Sequence, residues 1–509
     1  MRLERSKNSI INLKWGLIYR FSGILIPFVC KAAIIRIFGI NYLGLNSLFA
    51  SIISTLNLAE LGFSSAVVFF MYKEIAEDNS NRICALLNYF RRVYRIIGTV
   101  ILVIGLALIP FLRYLIKKDI PADINIYVIY LLTLSATVLS YYLFAYKNSI
   151  LTAFQKESVL YKIRAAVLIL ESVAQIIAIF FIKNYYAYTF VSVLAAAANN
   201  LLANYYVRKH YPQYKPNGYL TKTERDEIGE KIKGLMYYKI GGVIVTSADS
   251  IVISAFLGLT ISGIYGNYYY VLNLLFGILA VYYTSFRAGL GNSFVTETVE
   301  KNYDSFKQLQ FMQSWIIGFC TTCLFCLYQD FIAIYAGEEN MLPLGIAACM
   351  CTYLYCWKIQ DVVHVFKEAC GYWTKDRYRP LIGALMNLCL NIITVQFIGL
   401  YGVVLSTVFE AITIDLLWAP KAIFAEYFHK SRKEYYGLLW KCLLDLICMG
   451  VPTVLLAMYI KTGSHFNNLV IKFLMCMILP NAIFIVKNRN KKEFSAFRVR
   501  FRKLIGRGV

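Results

Sequence analysis

Long apolar segments recur along the whole chain and alternate with shorter segments that hold most of the charged residues. A helix of about 20 apolar residues is long enough to cross a hydrocarbon layer about 30 Å thick. The pattern therefore predicts an all-α integral membrane protein with about fourteen transmembrane helices, and twelve is the alternative count. The predicted spans are 14–37, 43–72, 93–116, 124–146, 158–182, 186–207, 236–257, 261–286, 309–335, 343–366, 379–398, 401–426, 437–460 and 466–486.

Composition agrees with a chain that lies mostly in a membrane. Of its 509 residues, 59% are hydrophobic and 16% are charged, whereas soluble domains have about 25% charged residues. The net charge of +23 comes from basic residues between the apolar segments, which is the distribution that the positive-inside rule describes. Since no basic soluble domain is present, we expect no nucleic-acid partner.

The basic residues also indicate the orientation of the chain. An even number of spans puts both termini on one side, and we assign that side to the cytoplasm because it then holds most of the Lys and Arg residues. A single missed span would invert every later loop and destroy this asymmetry. The loops on the opposite side hold five basic residues, namely Arg113, Lys117, Lys118, Lys183 and Lys461.

Neither the loops between the spans nor the cysteines within them indicate an enzyme. The outer loops are short and leave little room for a catalytic domain, which argues against a membrane polymerase, and the loop histidines form no acyltransferase pattern. Cys323 and Cys326 form a CxxC pair inside an apolar segment, but no second pair or histidine group lies near it in sequence, so packing is favoured over metal or redox chemistry. We expect no catalytic residues, no metal site and no cofactor beyond a coupling ion, H⁺ or Na⁺.

An internal repeat relates the two halves of the chain. The segment IFGINYLGL (Ile37–Leu45) has a counterpart in FLGLTISGI (Phe256–Ile264) at a shift of 219 residues. Repeated helical bundles with a binding site between them are a common transporter architecture. The shift aligns four residue pairs, namely Gly39 with Gly258, Gly44 with Gly263, Gly23 with Gly242 and Arg20 with Lys239.

Three segments in order along the chain resemble the polysaccharide transporter (Wzx-like flippase) family of the MOP superfamily, which also contains the MATE exporters. The first, Ile34–Val67, has a glycine turn followed by a helix that ends in an acidic residue, Leu and Gly. The second, Ser247–Tyr269, has an Asp before an aliphatic run and a Gly-x4-Gly step. The third is Gly371–Thr407, which begins GYWTKDRYRPLIG.

This resemblance implies a fold of two pseudo-symmetric six-helix bundles around a central cavity. The N-terminal bundle then covers 1–207, a cytoplasmic linker 208–235 and the C-terminal bundle 236–430. An additional helix pair at 437–486 resembles the added helices of related flippases, which can form a groove for a lipid tail, and 487–509 is a basic cytoplasmic tail.

The resemblance also implies a function, which is that of a flippase in the bacterial cytoplasmic membrane. Such proteins translocate undecaprenyl-diphosphate-linked oligosaccharide units from the inner to the outer leaflet for capsule, O-antigen or cell-wall polysaccharide synthesis. The implied partners are the polyprenyl-diphosphate-linked oligosaccharide, membrane lipid and polysaccharide assembly proteins. The alternative is a MATE-like, ion-coupled multidrug or cation exporter, for which acidic rather than basic cavity residues are expected.

Cations in span 1 are candidates for binding the diphosphate. Arg20 and Lys31 are eleven residues apart, close to three helical turns, and so share one face of the helix. Guanidinium and ammonium groups both bind phosphate oxygens. Snorkelling of the two side chains to opposite interfaces is the alternative. The repeat adds Lys239 to the set, although its place at the cytoplasmic edge also suits positive-inside anchoring.

Charged residues inside other spans are candidates for ion coupling or charge pairing, because a charge in the membrane is costly and usually has a function or a partner. They are Glu60, Glu171, Asp249, Asp361 and His364. Structural ion pairs are the alternative for these residues. Lys358, Asp361 and His364 follow one another at intervals of three residues, which predicts one polar side of a helix in span 10.

Overall fold

Helices account for the regular structure of the described residues, and they follow the apolar segments of the sequence. The structure is a computed structural model that describes residues 5–60, 63–370, 378–495 and 498. The chain divides into two units, Met1–Gly263 and Ile264–Val509. We describe each unit by itself.

The first unit contains nine complete helices and the start of a tenth, counted over the described residues. A π-helical turn, Ala178–Ile182, extends the seventh helix. The helices are α1 (Arg5–Ile37), α2 (Ile40–Leu56), α3 (Phe63–Ala76), α4 (Ser80–Ala107), α5 (Ile126–Tyr142), α6 (Asn148–Ala153), α7 (Glu157–Ile177), α8 (Tyr185–His210) and α9 (Lys222–Leu257), followed by α10 (Leu259–Thr296).

The second unit contains the rest of α10 and eight further helices within its described residues. A π-helical turn, Ala411–Asp415, joins the fifth and sixth of these eight. They are α11 (Val299–Ala336), α12 (Leu344–Lys358), α13 (Asp361–Ala369), α14 (Arg379–Ile398), α15 (Leu400–Glu410), α16 (Leu416–Phe424), α17 (Arg432–Tyr459) and α18 (His465–Asn488).

Ten helices of the described chain are long and apolar enough to cross a membrane. The count is eleven if α5 and the helical segment Ala145–Ala153, which meet at an angle of 49°, are taken as one span. These helices confirm the predicted class, an all-α multi-pass membrane protein. The number of fourteen spans is not confirmed and stays a prediction.

Several predicted spans differ from the helices of the structure, some because they are broken and others because the helix begins earlier. Span 43–72 is interrupted by a 3₁₀ segment, Asn57–Glu60, between α2 and α3. Span 343–366 ends at Lys358, and α13 begins at Asp361. The helix of span 7 already starts inside the predicted linker, because Thr221 and Glu224 form a capping box that begins α9.

The glycines of the internal repeat adopt matching geometry. Gly39 has φ 109° and ψ 167°, and Gly258 has φ 101° and ψ 172°, a conformation that residues with a Cβ rarely adopt. A Cβ on Gly44 would overlap the carbonyl oxygen of Leu259, and a Cβ on Gly263 would overlap the carbonyl oxygen of Ile40. Ile40 and Leu259 are themselves related by the 219-residue shift, so the contact between α2 and the start of α10 is reciprocal.

Candidate functional site

Three charged residues follow one face of α7 at intervals of seven residues, close to two helical turns. They are Glu157, Arg164 and Glu171, and Tyr161 lies on the same face between the first two. All four side chains line a cavity of about 650 Å³ in the first unit. Since a helix rises 1.5 Å per residue, Glu157 and Glu171 are roughly 21 Å apart along the axis, and the cavity is therefore elongated along α7.

The other walls of this cavity are also rich in polar groups. Hydroxyl, amide and carboxylate side chains reach it from α1, from the segment after α2 and from α3, α4, α5, α6 and α8. On the α1 side, Tyr19 stacks on Tyr161 with ring centroids 6.0 Å apart. The remaining polar residues of the walls are Asn57, Glu60, Ser64, Tyr94, Thr137, Ser140, Tyr141, Asn148, Ser149, Thr152, Asn199 and Asn200.

Glu60 is held at the cavity wall by two tyrosines from different helices. The hydroxyl of Tyr94 on α4 donates to Oε1 at 2.5 Å, and the hydroxyl of Tyr141 on α5 donates to Oε2 at 2.6 Å. Tyr141 also donates to Oδ1 of Asn57 at 3.1 Å. The break between α2 and α3 places this carboxylate in the bundle interior, where neutral hydroxyl groups bind both of its oxygens.

Glu171 lies at the far end of the α7 row from Glu157. Nε2 of Gln175 is 3.4 Å from Oε1 of Glu171 and donates to the Ser192 hydroxyl on α8 at 3.0 Å.

Elsewhere in the walls, the side-chain carbonyl oxygens of Asn148 and Asn199 have no hydrogen-bond partner among the described residues. Such a site can accept a proton or a small cation at its carboxylates and can hydrogen-bond a hydroxylated ligand.

Comparison with known proteins was made by sequence and by structure. No protein-family model and no curated protein matches the sequence. Among solved structures, the lipid II flippase MurJ in an inward closed conformation is similar, with a TM-score of 0.66 and 15% identity over 94% of this chain and 99% of that chain. An inward-facing multidrug resistance MATE transporter of the MOP superfamily has a TM-score of 0.60 and 13% identity, over 81% of this chain and 98% of that chain. A MATE structure in a bent conformation has a TM-score of 0.51 and 14% identity, over 86% and 97%.

This chain shares its fold with the lipid II flippase MurJ and with MATE transporters. The likeness in fold to flippases and MATE exporters that the sequence indicated is thereby confirmed. At 13–15% identity the likeness concerns the fold alone, so the roles of individual residues depend on the geometry of this molecule.

Within this fold, the predicted cations of span 1 do not line the polar cavity. Arg20 is exposed and Lys31 is half-buried, and both lie on α1. Neither is among the lining residues. Lys239 lies on α9, but its side chain is outside the described part of the structure. The structure brings Glu60 and Glu171 to one cavity and leaves Arg20 and Lys31 elsewhere, and the role of the three cations in diphosphate binding stays a prediction.

The remaining predicted residues lie away from this cavity. Asp249 is buried on α9, with 4% of its surface exposed. In the second unit, Nζ of Lys358 is 3.0 Å from Oδ2 of Asp361. The prediction that Lys358, Asp361 and His364 share one helix is wrong, because α12 ends at Lys358 and only Asp361 and His364 lie on α13. Gln360 stabilises the break by donating to the carbonyl oxygen of Ala411 at 3.0 Å.

Sequence reasoning missed three of the α7 residues, although the sequence contains the signal. In ESVLYKIRAAVLILE, Glu157, Tyr161, Arg164 and Glu171 recur at intervals of three to seven residues on one helical face. Only Glu171 was considered, because Glu157 and Arg164 lie at the cytoplasmic edge of the predicted span, where charges are expected. The row becomes visible only when positions at the span edge and in the span interior are considered together.

Proposed function

We propose that this protein is a flippase that translocates undecaprenyl-diphosphate-linked oligosaccharide units across the bacterial cytoplasmic membrane, for capsule, O-antigen or cell-wall polysaccharide synthesis. On this proposal it carries out transport and no enzymatic reaction, and both termini face the cytoplasm. A substrate of this kind has a long apolar tail and a polar headgroup. It therefore requires an apolar surface and a polar cavity in the same protein.

An apolar groove in the second unit is the observation that carries this proposal. The groove has a volume of about 590 Å³ and lies between α10, α11 and α18. Contact with these apolar walls stabilises the bound lipid tail of the substrate wherever the tail leaves the surrounding membrane lipid. The lining residues are Val271, Leu274, Leu275, Ile278, Phe319, Cys320, Cys323, Leu324, Leu327, Tyr328, Phe331, Leu469, Val470, Phe473 and Leu474.

The extent of the structural likeness also supports a lipid-linked substrate. The lipid II flippase covers 94% of this chain, whereas the inward-facing MATE transporter covers 81%. The difference is similar in size to the α17–α18 pair, Arg432–Asn488, whose second helix supplies one wall of the groove. A protein that exports small cations has no evident need for this wall.

The polar cavity supplies the second requirement, on the same proposal. Tyrosine rings and asparagine amides provide stacking surfaces and hydrogen bonds for sugar groups, and Glu60 and Glu171 provide acceptor sites for a coupling H⁺ or Na⁺. Movement of the diphosphate outward is favoured by an inside-negative potential, by about 2.3 kcal/mol per charge per 100 mV.

One observation favours the second candidate, a MATE-like exporter of cations. Among the described residues, the polar cavity has three carboxylates, Glu60, Glu157 and Glu171, and one guanidinium, that of Arg164. An excess of carboxylates attracts cations. If the cavity binds the transported compound rather than a coupling ion, that compound is a cation.

The experiment is a flipping assay in proteoliposomes with a fluorescent undecaprenyl-diphosphate-linked oligosaccharide. We expect flipping by the wild-type protein. In the double variant Arg20→Ala, Lys31→Ala, we expect the flipping rate to fall about tenfold or more. A charged contact with phosphate contributes about 1.5–3 kcal/mol, and 1.4 kcal/mol corresponds to a factor of ten. Lys14→Ala is the matched control, since Lys14 is an exposed cation on the same helix. Normal flipping by the double variant would exclude both cations from the site, and export of an organic cation without flipping would favour the second candidate.

A further inference from the structure

Two buried carboxylates lie at opposite ends of the contact between α11 and the α17–α18 pair. Asp330, near the end of α11, is 4% exposed, and Asp445, on α17, is 3% exposed. Each forms an ion pair with a lysine of α18. Nζ of Lys472 is 2.6 Å from Oδ2 of Asp330, and Nζ of Lys487 is 2.9 Å from Oδ1 of Asp445.

The contact at Asp330 occupies both of its oxygens with residues of α18. Nδ1 of His465 is 2.7 Å from Oδ1 of Asp330, and Nε2 of the same ring is 3.1 Å from Oε1 of Glu338. His465 and Lys472 are seven residues apart and so lie on one face of α18. Two positions of that face, separated by two turns, are thus fixed to a single buried side chain of α11.

The contact at Asp445 connects three helices. Besides Lys487, Ser314 on α11 donates its hydroxyl to Oδ2 at 3.2 Å, and Asn488 on α18 has its amide nitrogen 3.5 Å from Oδ1. Between the two ends, the indole nitrogen of Trp315 donates to the side chain of Asn481 at 2.8 Å. The α17–α18 pair is therefore attached to α11 along its whole length.

These polar contacts determine the register of α18. Packing between apolar helices in lipid gains little from hydrophobic burial, so it discriminates weakly between registers. A shift of α18 by one residue would separate Lys472 and Lys487 from their carboxylates and leave buried charges unpaired, which is strongly unfavourable. The ion pairs thus select one rotation and one height of the helix.

The groove depends on the same helix. Four residues of α18 line it, namely Leu469, Val470, Phe473 and Leu474. They lie in the same two to three turns of the helix as the anchoring residues His465 and Lys472. We infer that Asp330 and Asp445 are positioning residues for the lipid tail, because they fix the face of α18 that forms the groove wall. This inference rests on the proposed flippase function. It names the residues that make the protein prefer a substrate with a long polyprenyl tail.

The test compares two fluorescent lipids that have the same diphosphate-oligosaccharide headgroup and either an undecaprenyl or a farnesyl tail. In full-length protein in proteoliposomes, Lys472→Met is expected to raise the KM for the long-tailed lipid about tenfold relative to the short-tailed one, with the maximal rate nearly unchanged. A change in KM that depends on tail length cannot arise from a general loss of folded protein.

The controls separate the ion pair from the charge itself. Lys461→Met removes an exposed lysine that lines the same cavity as Asp330, His465 and Lys472, about 470 Å³ in volume, and is expected to keep the wild-type ratio of the two KM values. The exchange Asp330→Lys with Lys472→Asp is expected to restore the preference for the long tail. If Lys472→Met does not fold, His465→Gln, which keeps the lysine pair, is expected to shift the ratio in the same direction by a smaller factor.

An unchanged KM ratio in both Lys472→Met and His465→Gln would overturn the inference, and so would an equal loss for the two lipids in every folded variant. A wild-type protein that flips neither lipid would instead disprove the proposed function. The two failures are therefore distinguishable.

Discussion

Carboxylates in the two units have different partners. In the first unit, Glu60 and Glu171 line a polar cavity and are hydrogen-bonded by neutral groups, namely two tyrosine hydroxyls and a glutamine amide. In the second unit, Asp330 and Asp445 are buried against lysines of α18 at distances of 2.6 and 2.9 Å. The residue types are alike, but only the second pair is neutralised by direct ion pairs.

This difference indicates which carboxylates can exchange an ion. A carboxylate that faces a cavity and accepts bonds from neutral donors can bind or release H⁺ or Na⁺ without leaving another charge unpaired. A buried carboxylate in an ion pair cannot, because removal of one partner leaves an uncompensated charge. We therefore expect substitutions of the ion-paired carboxylates to affect stability and the binding of the lipid tail, and substitutions of the cavity carboxylates to affect the coupling of transport to an ion.

The largest effect on stability is expected for Asp445→Ala. The change leaves the ammonium of Lys487 without its carboxylate and removes an acceptor from Ser314 and Asn488. The side chain of Lys487 is 31% exposed, but Ser314 and Asn488 are buried, and each unsatisfied buried donor costs about 1–3 kcal/mol, so the total loss is about 2–6 kcal/mol. Thermal or denaturant unfolding of the purified protein in detergent measures the loss.

Asp304→Ala is the matched control for that substitution. Asp304 also pairs with a lysine, Lys307, at 2.7 Å, but 64% of its side chain is exposed, and exposed pairs contribute about 0–1 kcal/mol. Equal stability of the two variants would show that burial of Asp445 has no consequence and would remove the distinction between the units.

An intermediate effect is expected for Glu60→Ala, because Glu60 both lines the cavity and connects α4 with α5. Tyr94 and Tyr141 each lose an acceptor, and an unsatisfied buried hydroxyl costs about 1–3 kcal/mol. Unfolding measurements on this variant and on the single variants Tyr94→Phe and Tyr141→Phe test the reason. A loss in Glu60→Ala smaller than in either tyrosine variant would contradict it.

The sequence predicted the class of fold and several helices closely, because apolar length alone decides them. The span 379–398 coincides with α14, Arg379–Ile398, and the span 466–486 lies within α18. Breaks such as that between Lys358 and Asp361 were not predicted, since no Gly or Pro marks the position and charged residues also occur inside continuous spans. They depend instead on a tertiary contact, that of Gln360 with the backbone at Ala411.

The site was only partly predictable for a related reason. Glu60 and Glu171 stood out as charges in apolar surroundings, and the structure places both at the same cavity. Asp445 and Lys487 are 42 positions apart, and Asp330 and Lys472 are 142 positions apart. No local pattern relates such residues, so their pairing becomes visible only after the helices have packed.

The smallest effect on stability, and the sharpest test of the comparison, is expected for Glu171→Gln. The amide keeps the size of the side chain and an oxygen that can accept from Gln175, so the free energy of unfolding should change by less than about 1 kcal/mol. The neutral side chain cannot bind Na⁺ as a carboxylate does or take up a proton. Flipping measured against imposed Na⁺ and pH gradients should therefore lose its dependence on one of them. Glu230→Gln, an exposed residue of α9, is the control that should retain it. If Glu171→Gln keeps both gradient dependences, Glu171 does not bind the coupling ion, and the cavity carboxylates and the ion-paired carboxylates would differ in surroundings alone.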